Sequence, residues 1–157
     1  MSGRIIGIYA ASVKHSEQIN LESVQLKTGK GIVGDRFFGL RPKHAGRNLT
    51  LIEAEVIANF NLIYQQTIPP QATRRNLITE GLRLNDLIGK TFQVGEVLCL
   101  GVELCEPCKV MARQMPCTDL SQTEIIQAFA YHGGIRAAVL SDGIIKIGDN
   151  IAITAPL

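Results

Sequence analysis

Cys105-Glu106-Pro107-Cys108 sets two thiols two residues apart, with proline between them and Lys109 directly after the second. A thiol acts as a nucleophile or a soft-metal ligand only as the thiolate, which a neighbouring cation or a helix start favours. Proline is common at the first helical position. A short helix opening at Pro107 would put Cys108 in its first turn, where free N–H groups and the helix dipole favour negative charge. Lys109 and Arg113 add positive charge nearby. Chemistry at Cys108 is therefore the leading expectation. The plain alternative is that both cysteines are small buried hydrophobes, as free cysteine often is. Cys105 is read that way, with a resolving thiol as its alternative. Cys99 falls in the apolar run Val97 to Leu104 and reads as core, and Cys117 has no readable role.

Cations recur at two further places. Arg36, Arg41, Lys43, His44 and Arg47 lie within a dozen positions, and Arg74 and Arg75 are adjacent. Such clusters suit a small anion better than a long polyanion. Arginine forks pair with phosphate bidentately, and Asn76 offers both a donor and an acceptor to a heterocycle edge. The bland reading is a solvated pair at a strand end. Neighbours on a strand face opposite ways, so one of Arg74 and Arg75 is expected to face a ligand. Arg136 follows Gly133-Gly134, where the backbone can approach an anion closely. His132 reads either as a proton carrier or as a charge against a helix C-terminus. Asp35 and Asp149 follow glycines and read as turn residues. A zinc site from Cys105, Cys108, Cys117 and His132 lacks the second closely spaced ligand pair of zinc ribbons and fingers.

The elements that must position these residues are mostly strands. Apolar runs at Ile5 to Tyr9, Ser23 to Leu26, Arg47 to Leu51, Asn76 to Thr79, Thr91 to Val94, Val97 to Leu104, Ala137 to Leu140 and Ile151 to Thr154 are rich in Ile, Val and Leu. Many are bounded by glycine, which points to a sandwich or barrel. The tail from Ser141 reads as a turn, a strand, a Gly-Asp turn and a last strand. Strands joined so tightly favour a closed, largely antiparallel barrel without exposed edges. Thr50-Leu-Ile-Glu53 and Ser121-Gln-Thr-Glu124 have the capping-box pattern, predicting helices over about 51–65 and 121–131. Gly133-Gly134 would stop the second. The expected fold class is thus mainly β with a few α-helices, in one domain over residues 1–157.

Composition narrows the function. Net charge is +2, tryptophan is absent and aromatic residues make up 5% of the 157 positions, so nucleic acid is not an expected partner. No run approaches the length of a membrane span, and the N-terminal apolar stretch is too short for a signal-peptide core. The expectation is a cytoplasmic protein with no membrane partner. In a reducing compartment a Cys-x-x-Cys is more often catalytic or metal-binding than a disulfide.

Gly31-Ile-Val-Gly34-Asp35-Arg36, Arg47-Asn-Leu-Thr-Leu51, Arg74-Arg75-Asn76-Leu77, Gly89-Lys-x-Phe-x-Val-Gly95, Cys105-x-Pro-Cys108, Gly133-Gly134-x-Arg136 and Gly143-x-Ile-x-x-Gly148-Asp149 occur in that order. The series resembles the MOSC domain, which ends molybdenum-cofactor sulfurases and also occurs as a stand-alone bacterial protein. The resemblance implies a closed β-barrel similar to the barrel domain of pyruvate kinase. It implies a cleft for the molybdenum cofactor, a pterin dithiolene with a phosphate. The metal ligand or sulfur-carrying residue would be Cys108, with Arg74, Arg75, Asn76, Lys109 and Arg136 as cofactor-binding residues. Such relatives reduce N-hydroxylated or N-oxide compounds with electrons from separate reductases. Two readings follow: a molybdenum-dependent oxidoreductase, or a carrier of persulfide sulfur or of the cofactor without small-molecule turnover. Other MOSC domains are fused to a pyridoxal-phosphate-dependent sulfurase. This chain shows no Schiff-base lysine motif, so pyridoxal phosphate would belong to a partner sulfurase. A protein-binding or nucleic-acid-binding barrel without chemistry is the third reading.

Overall fold

The computed structural model describes residues 2–39 and 47–154. Arg41, Lys43 and His44 of the basic stretch lie outside the described residues. The elements, in order, are β1 (Ser2–Ala10), β2 (Ile19–Asn20), β3 (Ser23–Lys27), β4 (Gly31–Ile32), β5 (Leu49–Glu53), α1 (Ala54–Tyr64) and β6 (Leu77–Glu80). There follow β7 (Thr91–Val94), β8 (Val97–Leu104), α2 (Lys109–Gln114), α3 (Gln122–Phe129), β9 (Ile135–Val139), β10 (Gly143–Lys146) and β11 (Asn150–Ile153). Each apolar run forms a strand, within three residues of its expected ends.

The order β11-β7-β8-β9-β5-β6-β1, with β1 pairing back onto β11, closes a barrel. Closure gives each barrel strand a partner on both sides. Every pairing is antiparallel except β5 with β6. A parallel pair needs a crossover, and α1 lies in that connection. β3, β4 and β10 form a separate small sheet. Burial alternates along β7 and β8, so Phe92, Val94, Val97 and Cys99 point inward. They join Ile5, Leu49, Leu51, Leu77 and Ile151 in one core. A second core, with Ile52, Ile57, Phe60, Ile78, Met111 and Phe129, lies between the outer barrel wall and the helices. There the Phe60 and Phe129 rings lie 4.7 Å apart. Among the described residues no helix is long and apolar enough to cross a membrane.

The two capping-box patterns have different outcomes. Ser121 caps α3 as expected: its hydroxyl accepts from Glu124 N, and the Glu124 carboxylate accepts from Ser121 N. Thr50 does not cap α1, because it lies inside β5 and its side chain bonds Asn76. The first helix accordingly begins at Ala54, not 51. The α3 stop also differs from expectation. The helix ends at Phe129, and the left-handed residue beyond it is Tyr131, ahead of the glycines.

The register brings the termini of four strands together beside the middle of a fifth, β5. Leu51 pairs with both Leu77 and Ile135, Ile135 pairs with Leu104, and Leu77 pairs with Ile8. The ends of β1 and β8 and the starts of β6 and β9 thus meet in one row beside Leu51, the middle residue of β5, and together form a mouth on the barrel. The Cys105–Cys108 loop, the Arg74-Arg75 turn and Arg136 all sit there.

Candidate functional site

A cleft of about 420 Å³ opens at this mouth. The β1–β2 loop contributes Lys14 and His15, and the segment after β4 contributes Arg36 and Phe37. Arg47, Asn48 and Thr50 come from the approach to β5 and its start, Arg74 and Arg75 from the turn before β6, and Arg136 from β9. Cys105, Glu106 and Cys108 line the loop side, and Val110, Met111 and Gln114 come from α2. The wall is therefore cationic, with an apolar flank at Phe37, Val110 and Met111.

Cys108 is exposed and Cys105 is buried. Helix α2 starts at Lys109, two residues later than expected. Cys108 is the residue that precedes its first turn, in extended geometry, and its side chain makes no capping bond. Cys105 has both backbone groups engaged, its N–H with Gly134 O at 2.7 Å and its carbonyl with Arg75 Nη2 at 2.8 Å. Gly133 and Gly134 are needed for this packing. A Cβ at Gly133 would strike the Cys105 carbonyl, and one at Gly134 would strike the Leu51 carbonyl. Gly134 also holds φ 95°, a conformation glycine adopts freely. The glycines thus seat backbone against backbone, where the sequence suggested room for an anion.

Arg74 and Arg75 both line the cleft. The alternation rule for strands does not apply to them, because they precede β6 and Arg74 is left-handed at φ 64°. Arg74 donates to Ser16 O at 2.5 Å, and Arg36 donates to Arg74 O at 3.0 Å. Arg36 also pairs with Asp35 at 3.1 Å and stacks 4.3 Å from the Phe37 ring centroid. Burial lowers the pKa of both Arg36 and Arg74, and Asp35 works against it. Burial lowers Arg75 as well. Arg136 adds to that, while the sulfurs of Cys105 and Cys108 favour the charge. Burial also opposes the Arg136 charge, yet its pKa is raised overall by the Cys105 sulfur and the Glu103 carboxylate. Glu103 receives Arg136 at 3.0 Å and Arg47 at 3.2 Å.

Other residues take structural positions. Asn76 is fully buried and does not line the cleft. Its Oδ1 accepts from Thr50 N and Oγ1, each at 3.1 Å, and its Nδ2 donates to Tyr9 O at 3.1 Å. Lys109 and Arg113 are exposed on α2, off the cleft lining. His132 is exposed and lies near Glu53. The imidazole at the cleft belongs instead to His15, whose Nδ1 lies 3.4 Å from Gln114 Nε2. Asp35 takes the expected turn role, accepting from Phe37 N at 3.2 Å, and also accepts from Ala11 N at 3.1 Å. Asp149 accepts from Lys146 N at 2.9 Å. Cys99 lies fully buried in the barrel core, and burial raises the Cys117 thiol. Among the described residues no group of three or more His, Cys, Asp or Glu is gathered to hold a metal. Lys14, His15 and Gln114 were not read from the sequence. A Lys-His pair in a loop between strands was the available local signal, since binding residues concentrate on loops.

Solved structures of other proteins share this fold. The YuaD protein of Bacillus subtilis superposes with a TM-score of 0.85 at 18% identity, over 100% of this chain and 98% of that one. YiiM of Escherichia coli gives 0.72 at 20% identity, over 100% and 71% of the two chains. YiiM of Geobacillus stearothermophilus gives 0.73 at 15%, over 98% and 75%. No curated protein matches the sequence. The MOSC domain profile matches residues 35–152, most of the chain and every strand of the barrel but β1. The chain belongs to the MOSC domain family.

Proposed function

We propose that the protein binds the molybdenum cofactor in the barrel-mouth cleft and reduces N-hydroxylated or N-oxide compounds. One observation carries this reading: an exposed thiol, Cys108, stands in a cleft that Arg36, Arg47, Arg74, Arg75 and Arg136 also line. The donor set fits the group. A thiolate is a soft ligand suited to a thiophilic metal, and arginine forks suit a phosphate. A cavity of about 420 Å³ falls in the ordinary range of small-ligand sites. Cys108 would be the protein ligand to the metal. Arg47, Arg74 and Arg136 would seat the phosphate, each having guanidinium N–H groups beyond those already paired within the protein. When bound, the cofactor would supply a metal able to exchange two electrons.

The overall change consumes two electrons and two protons and releases water from the N–OH group. Electrons would come from a separate reductase. His15 is the cleft residue suited to exchange protons, and Phe37, Val110 and Met111 would hold the apolar part of a substrate and exclude water. Asn76 and Lys109 have no part in this reading, since neither lines the cleft.

The second reading is a persulfide or cofactor carrier that would take sulfur from a partner sulfurase carrying pyridoxal phosphate; the exposure of Cys108 supports it. One experiment separates the two. Protein made in a host that synthesises molybdenum cofactor is assayed for metal and for cyanide-releasable sulfur. Molybdenum near one per chain supports the first reading. Sulfane sulfur without molybdenum supports the second, and neither would remove both.

A further inference from the structure

Arg75 is 7% exposed. All three of its side-chain nitrogens donate to backbone carbonyls: Nε to Gly133 at 2.8 Å, Nη2 to Cys105 at 2.8 Å and Nη1 to Thr73 at 3.1 Å. A buried arginine ordinarily meets a carboxylate. Among the described residues none forms an ion pair with this one. No carboxylate therefore pairs with its charge directly, and the Glu106 carboxylate favours it only from a distance. The three carbonyls belong to three segments: the turn before β6, the loop after β8, and the run into β9. Pro107 Cδ would lie 3.2 Å from a Cβ at Gly133, so the Cys-x-Pro-Cys loop rests directly on that run.

We propose that Arg75 is the positioning residue for Cys108. Its guanidinium ties the Cys105–Cys108 loop to the cleft floor and supplies fixed positive charge there, acting through the loop and not by gripping the bound anion. This rests on the reading of Cys108 as the reactive thiol. It departs from the sequence expectation that Arg75 contacts the cofactor directly. A planar fork can hold the Cys105 and Gly133 carbonyls at a fixed separation, which a single ammonium cannot reproduce.

The test uses Arg75→Gln and Arg75→Lys in a Cys117→Ser background, in protein made without molybdenum. Hydrogen exchange reports the loop. Alkylation of Cys108 by neutral iodoacetamide and anionic iodoacetate reports the charge. In both variants, amide exchange in the 105–109 segment should rise about tenfold with the barrel strands unchanged. The iodoacetate-to-iodoacetamide rate ratio should fall severalfold in Arg75→Gln and hold in Arg75→Lys, because only the latter keeps the cation. Unchanged loop exchange in both variants would overturn the proposal, and so would full protection in Arg75→Lys. Loosening spread evenly over the barrel would reduce Arg75 to an ordinary stabilising residue. If Arg75→Gln does not fold, Arg75→Lys decides the exchange test alone. Neither readout needs the metal, so wild-type protein that takes up no molybdenum would sink the cofactor reading and leave this one standing.

Discussion

Cys99 lies between Phe92 and Val139 in the barrel register, fully buried, and burial pushes its thiol up to about 12. Cys108 stands exposed at the barrel mouth, in a cleft that five arginines also line. The same side chain is inert packing in one region and the candidate ligand in the other. Polar groups follow the same division. Inside, the buried amide of Asn76 is bonded at both its oxygen and its nitrogen. At the mouth, Arg74 holds a left-handed backbone, Arg75 is buried with no ion pair among the described residues, and Asn48 Oδ1 is buried without a partner among them. Backbone strain and incomplete pairing of this kind concentrate at functional sites and persist because the surrounding structure imposes them. The barrel supplies stability, and the mouth uses some of it to keep charge desolvated.

Asn76 joins the two regions and should give the largest effect. Asn76→Ala removes the partners of Thr50 N, Thr50 Oγ1 and Tyr9 O in a dry interior. A buried group left unpaired costs about 1–3 kcal/mol, so a loss of about 3 kcal/mol is expected in urea unfolding. Cys108 alkylation in the folded protein should change little. A loss below about 0.5 kcal/mol, the range of ordinary surface substitutions, would mean that Asn76 does not anchor the barrel.

Cys99→Ser comes next. A hydroxyl would replace a thiol in an apolar enclosure, at a cost of about 1–3 kcal/mol on protein scales. Equal stability to wild type would show that water or a carbonyl reaches this point, and the contrast with Cys108 would weaken. Ser121→Ala is smaller again, about 1 kcal/mol, the usual worth of an N-cap side chain. It should lower the thermal midpoint without touching the cleft.

Ser121 and Thr50 also show what was legible in the sequence. Both begin a Ser/Thr-x-x-Glu pattern, and only Ser121 caps a helix. The pattern sees three residues ahead and no further. Ser121 opens its helix from a loop, where nothing competes for the hydroxyl. Thr50 meets Asn76, a residue distant in sequence that the parallel β5–β6 pairing brings alongside. The strands were legible because each is a short apolar run, many of them bounded by glycine, which is a local signal. Closure through β1 and β11, the chain's two ends, was expected only from tight turns and family resemblance. The same limit applies at the site. Cys108, Arg74, Arg75 and Arg136 could be named from short motifs, and all four line the cleft. Lys109 was favoured for standing beside Cys108 in sequence, yet one step along a helix turns a side chain by about 100°. Asn76 was favoured for its chemistry, which the barrel uses internally. His15 has no motif, and only the folded β1–β2 loop brings it to α2.

Cys108→Ser should have the smallest effect on stability and the largest on function. The side chain is exposed and makes no capping bond, so a change within about 0.5 kcal/mol is expected, as for most surface substitutions. Serine keeps the size but offers a harder, far less acidic ligand, so molybdenum retention and N-hydroxyl reduction should both be lost. Cys105→Ser is the necessary counterpart. Cys105 is 4% exposed and is held through its backbone, both its N–H and its carbonyl. Serine preserves those bonds, so a modest loss of stability and most of the activity are expected. Assaying both variants for metal content, turnover and urea midpoint gives a clear division. Equal loss of turnover from the two would replace a single ligand with a paired dithiol. A fully active Cys108→Ser protein would remove the thiol from the chemistry and return Cys108 to the same standing as Cys99.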